Sequence, residues 1–227
     1  MRCCRTTEEQ KEYIDKLIEH FYEILGAADL NLDKLSYITN TPIIYYKFSL
    51  NETLEMSWKK FLITVSVLFY FPAAKEKLVD LRILKPRLFL NFCILNPFVE
   101  VDGDFLKDYR LPTLPCDTDS IDVSQIDDEK RKEYCLKMQK SLKELREIAG
   151  LPQTKLSEMI NIRFPTYNKI ENRRRELSWD NFLLLLFVFL QYEKTKRCLI
   201  KNEIFTPELY LLLTGKFTVP QKSPAKK

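Results

Sequence analysis

The chain repeats itself. At an offset of 121 residues, segment 30–90 lines up with segment 151–211. Lys34-Leu35-Ser36 faces Lys155-Leu156-Ser157. Ser57-Trp58 faces Ser178-Trp179, and Phe61-Leu62 faces Phe182-Leu183. Pro86, Leu88 and Leu90 face Pro207, Leu209 and Leu211. The protein has two tryptophans, and they fall in register. A period of 121 is too long for a solenoid and suits a duplicated domain. The fold must therefore be one that a unit of this size can adopt twice.

Each unit reads as all-helical. In the first, Thr7 and Gln10 have the spacing of a capping box, and apolar residues recur at Ile14, Leu17, Ile18, Phe21, Ile24 and Leu25. Gly26 is the expected stop. In the second, Ser124 and Asp127 precede a series Tyr134, Met138, Leu142, Leu145 and Ile148, which Gly150 ends. Two short helices are expected near 152–160 and 164–173, then an apolar helix near 179–192 capped by Ser178. Thr206 before Pro207 marks one more start. No stretch alternates at period two over strand length, so the expected class is all-α, with two tandem helical repeats.

Composition narrows the chemistry. Four glycines in 227 residues argue against Gly-rich phosphate loops and turn-rich barrels. One histidine, His20, leaves no material for histidine metal sites or triads, and its place beside an apolar helix face suits a structural role. The cysteines (Cys3, Cys4, Cys93, Cys116, Cys135 and Cys198) form no Cys-x-x-Cys pair and are expected as reduced thiols, with no metal and no cofactor. Asp102 and Asp104 flank Gly103 but lack the ligand spacing of a calcium loop. The apolar runs 61–71 and 182–190 are far short of the roughly 20 residues that span a bilayer. No signal peptide opens the chain, so a cytoplasmic, nucleoid-associated protein without membrane contact is expected.

The net charge of +4 hides an uneven distribution. Residues 1–97 carry 13 basic and 12 acidic side chains, residues 98–133 carry 5 and 11, and residues 134–227 carry 18 and 9. The expected division is a helical domain at 1–97, an acidic, proline-containing connector at 98–123, a basic helical domain at 124–216 and a basic tail at 217–227. A basic domain beside a neutral one is the asymmetry that nucleic-acid binding needs.

The informative segment runs from Leu151-Pro152-Gln153 to Arg173-Arg174-Arg175. Leu156, Ile160, Ile162, Tyr167 and Ile170 are spaced to point inward across a tight helix-turn-helix. Asn161 suits the left-handed residue of the turn. The second helix then presents Arg163, Phe164, Thr166, Asn168 and Lys169 outward, as a helix lying in a major groove does.

The pattern Leu151-x-Gln153-x-x-Leu156 through Ile170-Glu171-Asn172-x-Arg174-Arg175 resembles the lambda-repressor/Cro-type, or Xre, helix-turn-helix family. The preceding Leu142-x-x-Leu145-Arg146 fits the end of that family's first helix, and the likeness covers about 141–192. The resemblance implies a phosphate-anchoring role for Gln153, a groove-facing role for Arg163, Phe164, Thr166, Asn168 and Lys169, and phosphate contact from Asn172, Arg173, Arg174 and Arg175. Two departures stand out. Phe164-Pro165 replaces a polar pair, and Arg173 replaces a glycine, so the helix ending is expected to differ.

The first unit has lost this chemistry. Ser49 to Glu55 stands where the basic turn stands in the second, and its recognition helix would show Ile43, Ile44, Tyr45 and Tyr46. It reads as a degenerate helix-turn-helix used for packing or for a homodimer. The expected function is sequence-specific binding of double-stranded DNA as a transcriptional regulator, without catalysis. A dimer would span two half-sites one helical turn apart. The alternative is an adaptor or antitoxin-like protein-interaction module in which neither unit reads DNA.

Overall fold

The computed structural model describes residues 7–51, 53–84 and 126–217, which form twelve α-helices and no strand. The first half holds α1 (Glu8–Glu19), α2 (Phe21–Ala27), α3 (Leu32–Thr39), α4 (Ile43–Leu50), α5 (Trp58–Leu68) and α6 (Pro72–Asp80). The second holds α7 (Asp128–Ile148), α8 (Gln153–Met159), α9 (Phe164–Glu171), α10 (Trp179–Phe189), α11 (Glu193–Lys201) and α12 (Pro207–Leu213). The connector 98–123, the Asp102–Asp104 loop, Ser124, the tail beyond 217 and four of the six cysteines lie outside the described residues.

Side-chain caps set half of the starts. Thr7 and Gln10 form the expected capping box, and Asn31, Ser57, Asp127, Ser178 and Thr206 each accept from a backbone N–H in the first turn. Left-handed residues set several ends. Gly150 (φ 67°) stops α7, and Asn161 (φ 51°) makes the turn between α8 and α9. Gly26 is not a stop: it lies inside α2, and Asp29 (φ 51°) takes the left-handed turn three residues later. A short polar side chain tolerates that conformation, so the turn has no need of the glycine. The long first helix expected from the apolar series is broken at His20, whose ψ of 13° separates α1 from α2. The imidazole lies beside Glu19 and Glu23.

Elements recur at the offset seen in the sequence. The helices α4, α5 and α6 map onto α9, α10 and α11 at 121 residues, end for end, and α3 maps onto α8 apart from one residue. Left-handed Asp29, Asn40 and Arg82 map onto left-handed Gly150, Asn161 and Glu203. The tryptophans sit alike: Trp58 stacks on Phe61 at 4.8 Å and Trp179 on Phe182 at 4.7 Å.

The two halves share one core. Every residue of α10 except Asp180 is buried, and in α5 all residues from Phe61 to Leu68 are buried. A helix that is apolar all round must be covered all round. α5 and α10 cover each other, side by side and in the same direction. Near their N-termini Lys59 Nζ donates to Asn181 Oδ1 (2.5 Å) and Lys60 Nζ to Asp180 Oδ1 (3.0 Å). Near their C-termini Phe69 meets Phe187 edge to face at 5.5 Å. The indole N–H of Trp179 donates to the Ile38 carbonyl (2.8 Å). Arg131 on α7 donates to the Tyr37 carbonyl (2.8 Å) and lies over the Tyr37 ring, gripping the end of α3.

Candidate nucleic-acid interface

α8 and α9 pack as a tight pair on the side of α7. Leu156, Ile160, Tyr167 and Ile170 are buried and Ile162 is partly so, as their spacing requires. That fixes which side chains face out. Arg163, Phe164, Lys169, Asn172, Arg173, Arg174 and Arg175 are exposed, and Thr166 and Asn168 are half-buried on the same helix. Phe164 keeps 43% of its surface in water. Pro165 sits in the first turn of α9, where no N–H is needed, so the replaced polar pair leaves the helix start intact.

The turn after α9 is tightly held. α9 ends at Glu171, two residues earlier than the apolar spacing suggests. Arg173 then takes φ 58°, the conformation of the glycine it replaces, so the path is kept with a strained residue in place of a permissive one. The Arg173 N–H donates to Ile170 (2.9 Å) and the Arg174 N–H to Lys169 (2.7 Å). Gln139, buried on α7, donates through one amide nitrogen to both the Ile170 and Arg175 carbonyls, each at 2.7 Å. The side chains of the turn differ in direction. Arg173 reaches back to the Lys140 carbonyl (3.4 Å). Lys169, Arg174 and Arg175 form no ion pair among the described residues.

Gln153, at the first position of α8, is anchored from behind. Its Nε2 donates to Glu171 Oε2 (2.6 Å), and its Oε1 accepts from Asn168 (3.4 Å). Glu171 has 2% of its side chain exposed and pairs through Oε1 with Arg146 at 2.9 Å. Arg146 also donates to the Leu151 carbonyl (3.0 Å). Burial works against the charge on Arg146, but the hydrogen bond and charge of Glu171 outweigh it and raise its pKa. Burial likewise pushes the neighbouring Tyr167 phenol far up, so it stays neutral. The chain Arg146–Glu171–Gln153–Asn168 thus ties three helices together and holds the Gln153 amide at the surface.

Two packed short helices joined through left-handed Asn161, a polar residue opening the first and a cationic turn closing the second make a helix-turn-helix. Residues 142–186 match the helix-turn-helix family model. The matched kind is the lambda-repressor-like one that the Gln153 and Asn172–Arg175 pattern resembles. No curated protein and no solved structure matches the chain.

The helix-turn-helix brings Gln153 and Asn168 into contact, leaves Lys169, Arg174 and Arg175 exposed, and turns Arg173 toward the Lys140 carbonyl. Sequence reasoning missed Gln139 and the Arg146–Glu171 pair. The first half shows what these groups are for, because Ile18, Leu25, Leu32 and Leu50 stand where the second half has Gln139, Arg146, Gln153 and Glu171. Leu25 is buried, and Ile18, Leu32 and Leu50 pack on the core. At these positions the first half has plain apolar contacts, and replacing a buried ion pair by such contacts is often neutral or stabilising.

Proposed function

We propose that the protein binds double-stranded DNA sequence-specifically through α9 and acts as a transcriptional regulator. Gln153, Asn172, Arg174 and Arg175 contact phosphates and fix the register. Arg163, Phe164, Thr166, Asn168 and Lys169 meet base edges in the major groove, with Phe164 placed for thymine methyl groups. The carrying observation is the exposed cationic turn, Lys169 with Arg174 and Arg175, held by Gln139 and free of internal counter-charges among the described residues. The helix-turn-helix match at 142–186 supports the DNA part of this reading. The first half is read as a second copy of the bundle that has exchanged DNA chemistry for apolar packing. No group in this mechanism performs catalysis.

One observation favours a second reading. α4, the counterpart of α9, exposes Ile44 (50%) and Phe48 (45%), with Leu54 (41%) just beyond it. Such a face suits a protein partner, and a homodimer through it is the simplest form of an interaction module. A fluorescence titration with random duplex at low and moderate salt separates the two. Tight, salt-sensitive binding, followed by enrichment of one motif from random DNA, supports the regulator. Absence of salt-sensitive binding to any duplex sinks it and leaves the interaction module.

A further inference from the structure

The α5–α10 contact has the symmetry of a dimer interface. Lys59 and Asp180 occupy equivalent positions, 121 residues apart, as do Lys60 and Asn181. Lys59 touches Asn181 and Lys60 touches Asp180. Exchanging the halves therefore converts one contact into the other, which is the mark of an isologous pair. The helices run in the same direction, so the local two-fold axis lies along them. Rotation about an axis leaves position along it unchanged. The turn residues 53–57 before α5 and the cationic turn 172–178 before α10 therefore lie at the same end of the pair, with α4 and α9 on opposite sides of the axis. The cationic turn is close to the junction: Lys59, whose pKa is lowered first by burial, also feels Arg175.

We infer that the chain carries the second half of its own DNA-binding dimer, and that one chain, not two, occupies an operator that has a single recognised half-site and no two-fold symmetry. The inference rests on the DNA-binding reading above. The face that carries this two-fold contact is closed inside the chain by α5 against α10. Of the two heads so placed, only the second has base-reading groups and a cationic turn. α4 faces the same duplex with Ile44 and Phe48 and a single cation, Lys47, at the position equivalent to Asn168. The first head adds backbone contact without reading sequence.

Native mass spectrometry of the full chain on duplexes enriched from random DNA tests this. One chain per duplex is expected, and the enriched motif should contain no inverted repeat. Lys47→Gln should weaken binding roughly 2- to 5-fold on every duplex and lower the salt slope by about one, although Lys47 lies in the other half from the recognition helix. Two chains on an inverted repeat, or a Lys47→Gln variant indistinguishable from wild type, would overturn the inference and leave the DNA-binding reading intact. Failure to bind any duplex removes both.

Discussion

The carboxylate of Glu171, at the end of α9, lies 2.9 Å from the Arg146 guanidinium on α7, almost wholly out of water. Removing one partner strands a buried charge, which costs about 3–5 kcal/mol. Arg146→Leu should lower folding stability by that amount in a denaturant titration. The double variant Arg146→Leu, Glu171→Leu, which copies the first half, should recover most of it. DNA affinity should not recover with stability, because Gln153 has lost the acceptor that holds its amide. Full recovery of both would show that the pair has no part in placing Gln153.

Gln139 sets the cationic turn without reaching the surface. Gln139→Leu leaves the Arg175 carbonyl without its donor, while the Ile170 carbonyl keeps the Arg173 N–H, and should cost about 1–3 kcal/mol. DNA affinity should fall as well, measured at a temperature where the variant is fully folded. Unchanged affinity would mean that the backbone bonds within the turn suffice.

Arg174→Ala and Arg175→Ala should each weaken binding roughly 3- to 10-fold on all duplexes and lower the salt slope by about one. Asn168→Ala and Lys169→Ala should instead change the ranking of duplexes. Titrations of specific and random duplex at several salt concentrations distinguish the two behaviours. Arg173→Ala should do little to affinity, because Arg173 is turned toward the Lys140 carbonyl.

Arg173→Gly makes a separate test of strain. A left-handed arginine is disfavoured by about 1 kcal/mol relative to glycine, so this substitution should raise stability by up to that amount. A melting temperature below wild type would show that the Arg173 side chain outweighs its backbone strain.

Burial pushes the Cys135 thiol from 9.0 up to about 12. Burial also pushes the Tyr134 phenol from 10.0 up to about 12. Both groups hold their protons more tightly folded than unfolded. Their contribution to stability is complete below about pH 9 and is lost as pH rises toward 12. Urea titrations at pH 8, 10 and 11 should show stability falling at the two higher values. Iodoacetamide should leave Cys135 unmodified in the native protein at pH 8 and alkylate it after unfolding.

Much of this was legible in the residues. The capping residues Thr7, Ser178 and Thr206, the left-handed Asn161 and the inward set Leu156, Ile160, Tyr167 and Ile170 all follow from local chemistry, which the sequence displays directly. Gly26 misled because a glycine marks a stop only where φ must be positive, and that site is Asp29. Gln139 and Arg146 were hidden because a polar residue on an amphipathic helix looks the same whether it meets water or a buried carbonyl. The apolar composition of α5 and α10 announced burial but not the partner. That depends on contacts between residues more than a hundred positions apart, which no local pattern encodes.

The pairing of α5 with α10 also sets the order in which the molecule can be made. During synthesis the first half emerges with α5 lacking its cover, and α10 follows only after some 120 further residues. Until then the chain presents a sticky apolar helix to the ribosome's surroundings, and closing so long a loop is slow. The nascent chain is thus most exposed to misassembly and to chaperone capture during that interval. Separately expressed halves, each with a bare face of this kind, are expected to be insoluble alone and to rescue one another when co-expressed.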